Sequence, residues 1–361
     1  MKKAIVLCAL LALPLAAQEP KIAIVGLVHS HVWGHLGRIA KGQTPAKLVA
    51  VAEPNAELMA EARKEAGAGV AYYDDYKKML AEAKPDLVWA FVENNRHLEI
   101  VQACAPRKIH VIFEKPLAST LKDALAIEGL AKKHGIHVMT NYQMAWWPAN
   151  YAAKSEADAG AVGKVWRLRG IVGHGGPSGG GWSSEPRLKF FRRWLTDPVE
   201  NGAGSLMDFG CYNALWSLWY LGKPETVYAQ VNHLRPDLYP KVEDNADLVL
   251  HYKNGVGIFE GSWALPDGFQ DLEVFGFDGS LYMKNGSVEL RKRGKAAPVA
   301  LPTLAPERAN PVAYMVSCIR NNRAPEGLVA LPINVDVIEI IEAARQSVAT
   351  GQAIKLPLAK R

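Results

Sequence analysis

At 361 residues, with 49% hydrophobic and 22% charged residues, the chain has the composition of a globular protein long enough to form two cores. A net charge of +6 is a mild excess, and its one dense basic run, Arg291-Lys-Arg-Gly-Lys295, reads as a solvated hairpin edge, too sparse for a nucleic-acid-binding face. Cys8, Cys104, Cys211 and Cys318 are too widely spaced for a disulfide framework or a Cys-x-x-Cys zinc site.

The chain opens with Lys2-Lys3 and an apolar run from Ala4 to Ala17 that is too short to span a bilayer and ends in small residues. Residues 1–18 therefore read as a cleaved signal peptide, which predicts export, to the periplasm in a bacterial cell. From residue 21, short apolar strands (21–26, 47–53, 86–92, 109–113, 136–140) alternate with helical periods (31–41, 55–66, 74–83, 95–105, 120–134). That alternation predicts a parallel sheet with right-handed crossovers, a Rossmann-type α/β domain over 19–142.

After Tyr142 the period changes. A helix near 148–159 is followed by period-two runs at 163–173, 225–234, 244–252, 255–264, 270–276 and 280–292, broken by Asn254-Gly and Asn285-Gly turns that suit antiparallel hairpins. Residues 143–361 are thus expected to form an α+β domain: an open, mostly antiparallel sheet with helices on one face. Such a sheet face makes a homodimer or homotetramer the expected assembly. The Gly/Ser/Pro-rich loop 173–186 is expected to act as a lid or a crossing loop. An apolar helix over 204–221 follows the Gly-rich segment from Asn201 and carries Asp208 and Tyr212 one turn apart on one face.

Three places in the first half carry chemistry. In open α/β sheets ligands bind beyond the carboxyl ends of the strands, and Val111-Ile-Phe-Glu114-Lys115-Pro puts a lysine there. The first strand-to-helix turn, Gly26-Leu-Val28-His-Ser30-His31, keeps one glycine where a dinucleotide turn has three. Ser30 and His31 remain as phosphate contacts at a helix N-terminus. Glu53 ends the second strand, where an acid accepts the ribose hydroxyls of NAD and repels the 2′-phosphate of NADP. His29, His31 and His35 have partly metal-like spacing, but no carboxylate or cysteine stands near them in the sequence, so no metal is expected.

In order and spacing, these segments resemble the glucose-fructose oxidoreductase, inositol dehydrogenase and rhizopine-catabolism (Gfo/Idh/MocA) family. The resemblance covers Lys21–Gly26, Val49–Pro54, Asn94…His97, Glu114-Lys-Pro, Gly202…Asp208…Tyr212, Phe275–Gly279 and Ala343–Gly351, nearly the whole chain after about residue 20. It implies that Lys115 lies beside the nicotinamide and the substrate hydroxyl, that the Lys115–Pro116 bond is cis, and that Asp208 orients the substrate. Tyr212 then fills a position that is histidine or tyrosine in the family, and as a proton acceptor it needs its pKa of ~10 lowered by Lys115. Asn94 and His97 are carried over as cofactor contacts, with Glu114 beside them. Asn141, Gln143, Trp146 and Trp147, at the exit of the first domain, are the expected substrate contacts. The arginine that the family often has in that segment is absent, so neutral sugars are expected over sugar acids unless Arg192 or Arg193 takes its place.

The function implied is NAD-dependent hydride transfer on a carbohydrate or polyol, with a tightly held cofactor recycled in place, because an exported enzyme meets no pool of free NAD. Two alternatives are a glycoside hydrolase or lyase that uses NAD transiently, and a cofactor-free sugar-binding or sensor protein.

Overall fold

The computed structural model describes residues 19–178 and 187–359; the expected signal peptide and part of the Gly/Ser-rich loop lie outside these residues. Among the described residues the strands form two sheets. The first is parallel and six-stranded, built from β1 (Lys21–Val25), β2 (Lys47–Ala52), β3 (Ala71–Tyr73), β4 (Leu87–Ala90), β5 (His110–Glu114) and β6 (Val138–Asn141) in the order β3-β2-β1-β4-β5-β6. The order reverses between β1 and β4, and that switch point opens the crevice in which such sheets bind dinucleotides. β3, only three residues long and partly exposed, is too short to register as a period in the sequence.

The helices of this domain are α1 (Val32–Ala40), α2 (Ala56–Ala66), α3 (Tyr76–Ala83), α4 (His97–Cys104) and α5 (Leu121–His134). Asn55, Asp75 and Thr120 accept backbone N–H groups at the starts of α2, α3 and α5. α1 has no side-chain cap.

The second sheet has nine strands: β7 (Val165–Gly173), β8 (Thr226–Asn232), β9 (Asn245–Tyr252), β10 (Gly255–Ser262), β11 (Phe269–Gly276), β12 (Ser280–Lys284), β13 (Ser287–Lys292), β14 (Lys295–Pro298) and β15 (Ile354–Lys355). All neighbours pair antiparallel except β7 and β10, which run parallel at the centre. Asn285 and Gly286 both have positive φ (50° and 74°), the turn that joins β12 to β13. The run expected as 280–292 is therefore two strands. The basic run lies at the exposed β13–β14 edge.

The remaining helices are α6 (Pro148–Asp158), α7 (Leu188–Leu195), α8 (Ser205–Asp208), α9 (Gly210–Leu221), α10 (Pro311–Arg320) and α11 (Leu331–Thr350). α9 and α11 cover one sheet face. α11 also joins the two halves: Val335 and Ile338 pack into a core cluster within the first domain, while Val337, Ile340 and Ile341 pack into the cluster that runs from the other face of the first sheet through the second domain.

Buried histidines make this fold acid-sensitive. Burial lowers the pKa of His97 to about 4 even though Leu117 O accepts from its Nδ1–H at 3.0 Å, and burial followed by the neighbouring His137 lowers that of His110 to about 4. In the unfolded chain both protonate near pH ~6.5. Between about 6.5 and 4 the unfolded state thus binds more protons, and stability falls as pH falls. We expect the urea midpoint to be flat above pH 7, to drop between pH 6.5 and 4, and to drop less steeply in His110→Gln. A midpoint unchanged across that range contradicts this account.

Candidate active site

The segments that follow β1, β5 and β6 face the junction of α8 and α9, and the cleft between them is a cavity of about 620 Å³ lined by both halves of the chain. Lys115 leaves β5 through a cis Lys115–Pro116 peptide. It is 7% exposed, and its Nζ donates to Asp208 Oδ1 in a short contact and to the Asp208 carbonyl at 3.1 Å. That carbonyl is available because the helix expected as continuous over 204–221 breaks at Phe209, where Tyr212 N bonds Phe209 O instead. The break also aims the carboxylate at the first domain. Asp208 Oδ2 accepts from Trp263 Nε1 at 2.8 Å, so both carboxylate oxygens are held.

The approach of α8 depends on glycine. A Cβ on Gly204 would lie 1.9 Å from Glu243 O, and one on Gly202 (φ +105°) would lie 2.8 Å from Ser119 O. Glu243 in turn accepts the N–H groups of Gly204 (2.7 Å) and Leu206 (3.0 Å), which fixes the start of the helix.

The charges in this pair reinforce each other. Burial opposes a charged Lys115, but the Asp208 carboxylate outweighs it and raises the lysine pKa, so the group is a fixed cation. Burial likewise pushes Asp208 up, and Lys115 more than reverses that. Tyr212 departs from expectation. Burial drives its phenol well above 10, and Lys115, with Nζ 5.2 Å from the ring centroid, only partly offsets this. The Tyr212 proton is therefore held more tightly than that of a free phenol, and its ring is braced edge-on against Tyr142 at 5.1 Å.

The cofactor turn is built differently from a three-glycine turn. Gly26 (φ +78°) is required because a Cβ there would meet Val92 Cγ1 at 2.5 Å and the Phe91 backbone at 3.1 Å. Val28 is partly buried, and its carbonyl accepts from Trp194 Nε1 of α7 at 3.3 Å. Phe191 and Trp194 of α7 lie over His29, with ring centroids 4.9 and 5.7 Å away. Salt bridges from Lys189 to Glu57 and from Arg193 to Glu93 and Glu200 hold this cover down. Arg193, more than half exposed, is paired with these two carboxylates in this arrangement. Ser30 Oγ is buried without a hydrogen-bond partner among the described residues, at the uncapped N-terminus of α1. An orphan hydroxyl and an open helix end fit a phosphate. Glu53 stands at the end of β2, 4% exposed, with Oε2 accepting from Leu27 N (2.7 Å) and Oε1 from Asn55 N (2.8 Å). Burial raises its pKa, and these two bonds act against that.

The other expected residues divide into two groups. Asn94 and His97 turn away from the cavity. Asn94 Nδ2 donates to Asn201 Oδ1 at 2.7 Å and His97 stacks on Phe113 at 4.2 Å, so in this arrangement they join the domains beneath the site. Gln143 and Trp147 line both the main cavity and an adjoining one of about 490 Å³; Asn141 and Trp146 line only the second. The expectation that no carboxylate approaches the histidines is corrected by Glu114, whose Oε2 lies 2.9 Å from His31 Nδ1. β5 ends beside the turn in space, 83 residues on in sequence. His35 instead packs at a tilt against Trp89, with ring centroids 4.3 Å apart.

Two residues of the site were not singled out by sequence. Trp263 was one tryptophan among ten, and only the fold shows its indole N–H on Asp208. His174 lines the cavity with its Nδ1 accepting from Gly176 N at 2.9 Å.

Residues 20–142 match the model of the oxidoreductase family with an NAD-binding Rossmann fold, and residues 151–282 match the GFO/IDH/MocA C-terminal domain, together more than half of the chain. The myo-inositol 2-dehydrogenase of Thermotoga maritima is 26% identical over 73% of this chain and 75% of its own length. The D-xylose 1-dehydrogenase (NADP(+)) 2 of Haloferax volcanii is 28% identical over 54% of this chain and 55% of its own, so the chain spans about half of that relative. In structure, the aldose-aldose oxidoreductase of Caulobacter crescentus, complexed with glycerol, superposes with a TM-score of 0.79 at 21% identity, covering 94% of this chain and all of that one. The chain belongs to the Gfo/Idh/MocA family of oxidoreductases, with its NAD-binding Rossmann domain first and the family's C-terminal domain second.

Proposed function

We propose that this protein is an exported oxidoreductase that transfers hydride between a CH–OH group of a carbohydrate or polyol and an NAD it retains between turnovers. The observation that carries the reading is the Lys115–Asp208 pair, set at the end of β5 in a cavity walled by both domains. The uncapped start of α1, with Ser30 and His31, would hold the pyrophosphate, and Glu53 the adenosine ribose; its carboxylate favours NAD over NADP. When bound, the nicotinamide accepts or returns the hydride.

The protein's own groups manage the oxygen and its proton. Lys115 steadies the negative charge that develops on the carbinol oxygen. As that charge engages Lys115, Asp208 loses the interaction that holds its pKa down. Burial then makes the carboxylate a better acceptor for the hydroxyl proton. Tyr212 donates its O–H as a neutral phenol. Trp147 and Gln143 supply an apolar face and a polar group for a sugar ring.

Retention of the cofactor is supported by α7, whose Phe191 and Trp194 cover the turn with ion pairs on two sides. Coupled oxidation of one sugar and reduction of another is consistent with this, as is the aldose-aldose oxidoreductase among the structural relatives. Export rests on Lys2-Lys3 and the apolar run that follows. The open face of the second sheet supports a homodimer or homotetramer.

Freshly purified protein, once denatured, should release a dinucleotide without a 2′-phosphate, identified by mass; release of NADP alone, or of none from the native host, would refute retention of NAD. In steady-state assays across a sugar and polyol panel, Lys115→Ala is expected to lose ~10²–10³ in rate and Asp208→Asn ~10²–10⁴. Tyr212→Phe, which keeps the ring and removes one neutral hydrogen bond, is expected to lose ~10-fold or less. A loss in Tyr212→Phe matching that in Lys115→Ala would return the proton-accepting role to the tyrosine.

A further inference from the structure

Three donor groups converge beside the cavity. One ligand atom from each of His29, His31 and Glu114 lies within 4.8 Å of the others. Zinc-type ions hold nitrogen and oxygen donors at about 2.0–2.2 Å, so two donors on one tetrahedral ion stand about 3.3 Å apart. His31 Nδ1 and Glu114 Oε2, 2.9 Å apart, are already near that spacing. The widest separation has to close by about 1.5 Å at most, within reach of a side-chain rotation.

The surroundings resemble the support of a ligand set. Glu114 Oε1 accepts from Asn141 Nδ2 at 2.8 Å, and Asn141 Oδ1 accepts from Trp146 Nε1 at 2.8 Å. A carboxylate oriented by an amide that is itself held is the kind of outer layer that fixes metal ligands. His29 is 2% exposed and packed among His31, Phe191 and Trp194. Its Nδ1 accepts the backbone N–H of His31 over 3.2 Å, a long bond and the one an ion has to displace if it binds that nitrogen. An ion pair between His31 and Glu114 accounts for the 2.9 Å contact alone; a bound ion accounts for the convergence of all three donors.

We propose that His29, His31 and Glu114 bind one divalent transition-metal ion of the zinc, manganese or ferrous class, with its remaining positions open to the cavity. Two imidazoles and a carboxylate suit these ions rather than magnesium or calcium, and three protein ligands with an open position are the pattern of reactive rather than structural sites. His29 and His31 line the same cavity as Lys115 and Asp208, so the open positions face water or an oxygen of the cavity's occupant. The ion also supplies positive charge to a turn in which Val28 and His31 stand where a dinucleotide fold has glycines, so that His31 engages a pyrophosphate through the ion rather than directly. This inference does not rest on hydride transfer.

The test uses the purified full chain with whatever dinucleotide it carries, treated with EDTA and desalted, then titrated separately with Zn²⁺, Mn²⁺ and Co²⁺ by calorimetry and elemental analysis. One equivalent of Zn²⁺ is expected at a Kd of about 1 μM or tighter, with a Co²⁺ spectrum of nitrogen and oxygen ligation. His31→Gln and Glu114→Gln should each weaken binding by at least about 100-fold, and Asn141→Ala, which leaves all three donors in place, by ~10–100-fold. His110→Gln, at the stacked His110–His137 pair on the opposite end of β5, should leave binding unchanged. If a donor variant fails to fold, the Co²⁺ spectrum and the Asn141→Ala titration decide. Absence of stoichiometric binding, or binding lost in His110→Gln and kept in Glu114→Gln, overturns the proposal.

Discussion

The buried ion pair between Lys115 and Asp208 is the constraint around which this molecule is arranged. It joins the end of a strand in one domain to a short helix in the other, and both side chains are under a tenth exposed. Such a pair is not a stabilising device in itself, because removing two charges from water costs several kcal/mol per ion and the attraction only repays it in good geometry. The surrounding structure supplies that geometry. The helix break at Phe209 gives Lys115 a carbonyl as well as a carboxylate, Trp263 takes the second carboxylate oxygen, and glycines at 202 and 204 let the backbone approach. A charge pair kept at this cost, in a cavity, is better explained by chemistry than by stability.

The same junction is reinforced beneath the site. Asn94 reaches Asn201, whose own amide also donates to the carbonyls of Leu195 and Ala203, and Asn95 N donates to Glu200 O. α11 crosses behind with one face in each core. The cleft is therefore shaped by contacts that tie the two domains together, and α7 extends from this junction over the cofactor turn. A turn with one glycine leaves less open backbone for a pyrophosphate than one with three. What lines it instead, among the described residues, is a buried hydroxyl with no hydrogen-bond partner, two histidines and a carboxylate.

The sequence by itself determined the order of elements and the ends of the strands, because apolar period and capping residues are local. Alternating strands and helices to Tyr142, period-two runs after it, the Asn285-Gly turn and the position of Lys115 after an apolar strand were all legible there. The spacing of Asp208 and Tyr212 was legible too, but not the break between them. A one-residue departure from helical bonding depends on Lys115 and Cys211 meeting the freed carbonyl.

Only the tertiary structure decided which side chains share a space and in what state of charge. Glu114 meets His31 because β5 lies beside the first turn, 83 residues away along the chain. Trp263 meets Asp208 because β10 ends next to α8, and nothing local distinguishes that indole from the others. Asn94 and His97 match a cofactor pattern in sequence, yet the domain junction draws them inward. Tyr212 reads as a base in sequence, yet burial holds its proton. Desolvation and long-range pairing are properties of the assembled chain, and no local window contains them.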